Sequence, residues 1–179
     1  MTNTVSKGRF YYVARNVPYA QCATLDVGLD ISTSSAHNPF FAFYELPRVY
    51  PVTTAVGDQD VKAIRFLSLV RDGTITCPTL PQIASEVATH YVMLARELIM
   101  EEVRREVASD APSRQTCLWV VQSAELARYW QGRLGGQSRI LEVELDGVFH
   151  TADANWLLGD SEPLSVTYDR ARRYWLGEI

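Results

Sequence analysis

The sequence lacks the features that mark several large protein classes. Its three cysteines, Cys22, Cys77 and Cys117, are an odd number without metal-ligand spacing. Lysine and arginine number 17 against 21 acidic residues, and the resulting net charge of -4 excludes a global basic surface for nucleic acid. No apolar run approaches the roughly 20 residues that a membrane-spanning helix needs. We therefore expect neither a metal centre nor a membrane anchor.

Common catalytic motifs are also missing. The chain has no Walker loop, no G-x-G-x-x-G, no H-E-x-x-H and no C-x-x-C. Its three histidines, His37, His90 and His150, lie on separate predicted elements, so a hydrolase triad can be assembled only by choice. No secretory apolar segment follows Met1, which predicts a cytoplasmic location, while export by a route without an N-terminal signal stays open.

What the sequence does contain is typical of a globular protein. Apolar residues make up 47% and charged residues 21% of its 179 positions, which is enough to bury a substantial core. There is no internal repeat, low-complexity tract or clear linker. We expect one α+β domain over residues 1–179, with small mixed or antiparallel sheets and a long helix.

A long helix is predicted from about Gln82 to Ala111-Pro112, with Pro81 in its first turn. Two adjoining apolar stripes have helical spacing, and they predict a wide buried face. The stripes are Val87, Tyr91, Leu94 and Leu98, then Ala88, Val92, Ala95, Ile99 and Val103. The side expected to face solvent carries Glu86, His90, Glu97, Glu101 and Arg105. On this assignment Leu98→Ala should cost about 2–5 kcal/mol, and Glu101→Ala about half a kcal/mol at most.

Three strands are predicted around a second helix. Residues 9–15 form an aromatic first strand that closes at 16–18, and residues 19–38 form a loop. Residues 116–121 are short, apolar and partly β-branched, which indicates a buried strand, and residues 139–145 alternate as a third. Asp146-Gly147 predicts a hairpin turn. Between these strands Ser123 caps a helix that Gly135-Gly136 ends. The predicted apolar face of that helix is Leu126, Tyr129, Trp130 and Leu134.

The remaining segments are shorter. Residues 60–71 show helical spacing, while the aromatic cluster at 40–44 fits either a strand or a packed loop. Asp153 is predicted to cap a helical turn, and a final helix ends at Gly177.

The order of these motifs resembles a bacterial family associated with the ADP-ribosyltransferase-like fold. The segments that carry the resemblance are 11–15 (YYVAR), 96–104, 112–114 (PSR), 117–119 (CLW), 153–157 (DANWL) and 174–178 (YWLGE). The stretch from Cys117 to Trp130 and the strand 140–147 are also similar to the rifampin ADP-ribosyltransferases. This resemblance implies an NAD-dependent mono-ADP-ribosyltransferase that modifies a macromolecular target, as a toxin or effector.

NAD would then be a substrate, and its nicotinamide–ribose bond would break through an oxocarbenium-like state. Such chemistry needs a clamp for the pyrophosphate, an aromatic wall for the nicotinamide and a carboxylate near the ribose. The resemblance assigns the clamp to Arg15 and the catalytic carboxylate to Glu178. Ser113 and Arg114 would hold ribose or phosphate, and the wall would be Trp119 or Tyr12.

Other interpretations remain open. The related transferases often carry His where this chain has Tyr11-Tyr12-Val13, so either Arg15 takes that role or NAD chemistry has been lost. Arg15 and Arg114 can instead pair with acids of residues 97–102, and Trp119 can be part of the core. The competing functions are a catalytically silent domain that binds a partner and an RNA phosphotransferase-like enzyme. In the latter Arg15, Arg104 and Arg114 would converge on a phosphate.

Overall fold

The computed structural model describes residues 2–15, 25–54, 57–135, 137–158 and 160–179. The predicted end of the first strand at 16–18, and the beginning of the loop at 19–38, lie outside these residues. The elements in chain order are β1 (Thr2–Arg15), α1 (Pro39–Glu45), β2 (Val49–Thr54), β3 (Gly57–Lys62), α2 (Ala63–Arg71), α3 (Leu80–Val107), α4 (Ala124–Leu134), β4 (Ser138–His150), a 3₁₀ turn (Ala154–Leu157) and α5 (Leu164–Leu176). The fold is a small α+β domain with two antiparallel sheets, as expected.

The main sheet is a bent two-stranded ladder. β1 and β4 pair from Thr2 opposite His150 to Arg15 opposite Ser138, with a bulge between Val5 and Gly8. Because the bulge bends the ladder, the rings of Phe10 and Phe149 lie 5.6 Å apart although their register positions are far separated.

The predicted hairpin at Asp146-Gly147 is wrong. β4 continues through this dipeptide, because β1 is long enough to pair with β4 on both sides of Asp146-Gly147. Gly147 lies opposite Val5 at the edge of the bulge, and its φ of 142° is a conformation that glycine adopts without strain.

The predicted strand at 116–121 is also wrong. Only Val121 pairs with the sheet, through a single antiparallel bridge to Tyr11. The backbone before it forms a turn, in which the amide of Cys117 donates to the carbonyl of Ser113 at 2.8 Å. The side chain of Asn38 donates to the carbonyls of Arg114 and Cys117. These hydrogen bonds satisfy backbone groups that would otherwise need partners in a neighbouring strand, so the segment remains a loop.

α3 has nearly the predicted bounds, but its buried face differs from the prediction. Tyr91 and Leu98 are exposed, whereas His90, Glu97 and Glu101 are buried. Three buried apolar side chains in the second half of α3 pack against α5 in one core. That core contains Ile99, Met100, Val103, Ala111, Ala171 and Trp175. Both carboxylates can be buried because arginines neutralise them there. Glu97 pairs with Arg96 of the same helix and with Arg114 of the following loop, and Glu101 pairs with Arg104 and Arg105 of α3.

The other helices follow their local signals more closely. The Ser123 side chain accepts the amide of Leu126 and so caps α4, and Gly177 ends α5 in the left-handed region. Asp153 caps the 3₁₀ turn. The aromatic cluster at 40–44, which the sequence assigned to either a strand or a packed loop, is part of the helix α1. The predicted apolar face of α4 is wrong in large part. Its buried residue is Ala127, while Leu126, Tyr129 and Leu134 are exposed.

Candidate functional site

Glu97 is the centre of a buried ionic cluster that joins α3 to the following loop. Its carboxylate accepts from Arg96 at 2.8 and 3.1 Å, and from Arg114 at 3.1 and 3.3 Å. The three side chains are only 1% (Glu97), 5% (Arg114) and 13% (Arg96) exposed. We call Arg96, Glu97 and Arg114 the Glu97 cluster. Two guanidinium groups share one carboxylate here, so the cluster keeps a surplus of one positive charge.

Arg114 also links this cluster to two aromatic rings. Its Nη1 donates to the hydroxyl of Tyr174 at 3.0 Å, and its guanidinium lies 5.2 Å from the Tyr174 ring centre and 4.8 Å from that of Trp119. Burial opposes the charge on Arg114, but Tyr174 and Glu97 outweigh it and hold the pKa of Arg114 above its ordinary value. Arg114 therefore keeps its positive charge, and its guanidinium is held in place by these contacts.

Trp119 is the solvent-facing part of this arrangement. Besides the guanidinium of Arg114, its ring contacts Phe40 of α1 at a centroid distance of 4.9 Å and an interplanar angle of 70°. More than a third of the residue (38%) nevertheless remains exposed. A large aromatic side chain that is fixed from within and open to solvent is preorganised to stack on a ligand.

Glu101, one helical turn after Glu97, binds a second set of partners. It accepts from Arg104 at 2.8 and 2.9 Å, from Arg105 at 3.2 Å and from the Ser113 hydroxyl at 2.7 Å. Burial alone would raise the pKa of Glu101, but the hydrogen bonds from Arg104 and Ser113 and the two arginine charges lower it. The carboxylate is thus ionised at neutral pH, and it fastens the Ser113 loop to α3.

These contacts decide between two interpretations of Arg114. The sequence left open whether it binds a ligand or pairs with an acid of residues 97–102, and the pairing with Glu97 is confirmed. Ser113 and Arg104 are likewise engaged by Glu101. Arg104 and Arg114, which an RNA phosphotransferase would direct at a phosphate, pair with Glu101 and Glu97 in this structure.

Arg15 and Tyr12 lie near the end of β1. Arg15 is exposed, and Tyr12 is partly buried. Burial raises the pKa of the Tyr12 hydroxyl, and the nearby charge of Arg15 opposes that rise in part. The bridge between Tyr11 and Val121 brings this strand beside the loop that carries Trp119. Arg15 is four residues beyond the bridge, roughly 13 Å along an extended strand.

Glu178 follows α5, and its contacts are with the 3₁₀ turn and with α5. Its carbonyl accepts the indole N–H of Trp156 at 2.8 Å, and its half-exposed carboxylate is 3.7 Å from Arg173. Tyr174, four residues earlier, contacts Arg114. Among the contacts between described residues, none joins Arg15 to Glu178. The structure therefore brings together Ser113, Arg114 and Trp119, with Arg15 and Glu178 on elements that flank them.

Two residues of this region, Glu97 and Tyr174, were not predicted as site residues. Glu97 was placed on the solvent side of the helix. The pattern that could have indicated its role is the spacing of four between Glu97 and Glu101, followed by arginines further along the chain. Cys117 is not a candidate nucleophile, because burial raises the pKa of its thiol to about 11 despite the charge of Arg114.

Two cavities lie elsewhere on the molecule. An open groove of about 610 Å³ runs between α1 and α3, where Glu45 pairs with His37 and Glu106 pairs with Arg172. A cleft of about 330 Å³ lies between α3 and the start of α5. Neither is lined by the predicted site residues. Within the described ranges no group of three or more acidic, histidine or cysteine side chains could hold a metal ion.

The fold and this cluster define a small α+β domain built around a buried arginine–glutamate network. A family model described as "Protein of unknown function (DUF2441)" matches residues 11–179, so the chain belongs to the DUF2441 family. No curated protein matches the chain. In the part of the chain that the structure describes, no helix combines the length and apolar character needed to cross a bilayer.

Proposed function

We propose that the protein is an NAD-dependent mono-ADP-ribosyltransferase whose NAD site lies around Trp119 and Arg15. The observation that carries the proposal is Trp119, an exposed aromatic ring held from within by Arg114 and from the side by Phe40. A ring of NAD stacks on it, and the macromolecular acceptor approaches from solvent. As the resemblance implied, the protein would act in the cytoplasm as a toxin or effector.

Arg15 is the proposed pyrophosphate clamp. Its side chain is exposed at the end of β1, on a strand that the Tyr11–Val121 bridge fastens to the loop carrying Trp119. A guanidinium fork matches two phosphate oxygens, which an ammonium group cannot do. In this proposal Ser113 and Arg114 brace the loop through their bonds to Glu101 and Glu97.

Glu178 is the proposed catalytic carboxylate. Its side chain is about half exposed and its closest cation, Arg173, is 3.7 Å away, so it is free to turn toward a bound ribose. Its role would be to stabilise the positive charge that develops on the ribose only in the transition state.

Calorimetry with NAD and an assay for released nicotinamide test the proposal. Arg15→Ala should abolish NAD binding, and Arg15→Lys should weaken it substantially. Arg9→Ala is the matched control, because Arg9 is an exposed arginine of the same strand whose partner is Glu142. Glu178→Gln should leave NAD binding intact and slow nicotinamide release. Equal NAD affinity in the Arg15→Ala and Arg9→Ala variants would remove the clamp.

The second candidate is a catalytically silent domain that binds a partner protein. It is favoured by the exposed apolar side chains of α4, which are Leu126, Tyr129 and Leu134. A wild-type protein that neither binds nor cleaves NAD would support this alternative and overturn the transferase.

A further inference from the structure

We infer that Trp119 stacks on the adenine ring of its ligand, and that the site around Trp119 is therefore an adenine-nucleotide site. This inference rests on the proposed function, because NAD presents two different rings to the protein. The adenine is neutral, whereas the oxidised nicotinamide is a pyridinium cation. The charge distribution behind Trp119 discriminates between these two rings.

The discriminating feature is the Glu97 cluster. Arg114 lies 4.8 Å from the Trp119 ring centre, and its partner Glu97 must also neutralise Arg96. The surplus positive charge is held inside the protein, where the cluster is almost fully buried and water screens it little. The electron-rich indole is thus already engaged by one cation.

A second cation on the same indole would be repelled by the first. A pyridinium ring on Trp119 would compete with Arg114 for the electron density of the ring and would meet the unneutralised charge of the cluster. A neutral purine meets neither penalty and stacks well on an aromatic side chain. The phosphate attached to the adenosine is also attracted by the surplus charge.

The neighbours of Arg114 keep this arrangement fixed. Nη1 of Arg114 is bound to the Tyr174 hydroxyl, and Arg96 donates to the carbonyl of Leu157 at 2.8 Å. Four elements of the fold therefore determine where the charge behind Trp119 lies. The preference for adenine is built into the folded protein before any ligand binds.

Calorimetry with AMP and with nicotinamide mononucleotide, on the full chain, separates the two rings. AMP should bind the wild type and compete with NAD, and Trp119→Ala should lower its affinity roughly 5- to 150-fold. Trp119→Phe should retain most of that affinity, since it keeps a flat ring. Any binding of nicotinamide mononucleotide should be the same in the wild type and in Trp119→Ala.

Tyr129→Ala is the matched control, because Tyr129 is an exposed aromatic residue of α4 outside the site. Circular dichroism should show that each variant is folded. If Trp119→Ala is not, Trp119→Leu repeats the test, because it keeps apolar bulk without a flat ring and should lose AMP affinity while Trp119→Phe retains it. NAD binding without AMP binding, or a loss confined to nicotinamide mononucleotide in Trp119→Ala, would overturn the adenine assignment alone. AMP binding that needs Trp119, without any NAD turnover, would keep this assignment and remove the transferase. No binding of either nucleotide would overturn both.

Discussion

Removing the Glu97 carboxylate should be among the most damaging single changes in this protein. Glu97 is 1% exposed, and it is the shared acceptor for Arg96 and Arg114. In Glu97→Ala the buried guanidinium of Arg114 would keep its bond to Tyr174 but lose its counterion. Breaking a buried ion pair from one side costs about 3–5 kcal/mol, and we expect a loss of that size in the free energy of unfolding.

The next residue of the helix provides a matched control. Leu98 is 50% exposed, so Leu98→Ala loses only about half of the apolar burial that a fully buried leucine provides. We expect a cost of about 1 kcal/mol in the free energy of unfolding. This order is the reverse of what the apolar periodicity of α3 predicts. Urea unfolding followed by circular dichroism gives both free energies from one type of experiment. Equal losses for Glu97→Ala and Leu98→Ala would refute the burial of the Glu97 cluster.

A double variant separates charge from packing in the same cluster. Glu97→Leu alone leaves both Arg96 and Arg114 without their carboxylate. Adding Arg114→Met removes the more deeply buried of these two guanidinium charges and keeps apolar bulk, while Arg96 is in the same state in both variants. Buried ion pairs replaced by apolar side chains are often as stable as the original pair. The double variant should therefore be more stable than Glu97→Leu. A double variant less stable than the single one would show that Arg114 stabilises the fold mainly through its aromatic contacts.

Two further predictions concern pH and backbone conformation. Burial and the charge of Arg48 lower the pKa of His90, whose Nδ1 has no hydrogen-bond partner among the described residues. Because the folded-state pKa lies below the unfolded value of about 6.5, the free energy of unfolding is at its full value above about pH 6.5 and decreases as the pH falls from there to the folded-state pKa. His90→Phe should flatten the unfolding free energy between about pH 8 and pH 5, and an unchanged profile would contradict this role. Gly177→Ala, at φ 74°, should cost about 1 kcal/mol, whereas Gly132→Ala, in α4 with open space around it, should stabilise by about 0.5–1 kcal/mol. The same urea assay compares them, and effects of the same sign would contradict the assignment of Gly177 as a left-handed cap.

The sequence was sufficient for features that depend on neighbouring residues. The long helix was predicted from about Gln82 and is found over Leu80–Val107, because periodicity and Pro81 are local signals. The Ser123 cap and the end of the last helix at Gly177 were predicted for the same reason. Each depends on groups within about four positions along the chain, whose chemistry can be read directly from the order of residues.

Only the tertiary structure determined which faces are buried and which strands pair. Glu97 was assigned to solvent because it lies opposite the apolar stripes of the helix, and its burial requires Arg114, which is 17 positions away in the chain. Arg114 in turn bonds to Tyr174, 60 positions further on. Likewise, Asp146-Gly147 has the local preference of a turn, but the pairing of β4 with the long β1 extends the strand through it. Hydrogen bonds and ion pairs between distant segments outweigh local preferences here, because an unsatisfied group inside the protein costs more than a propensity gains.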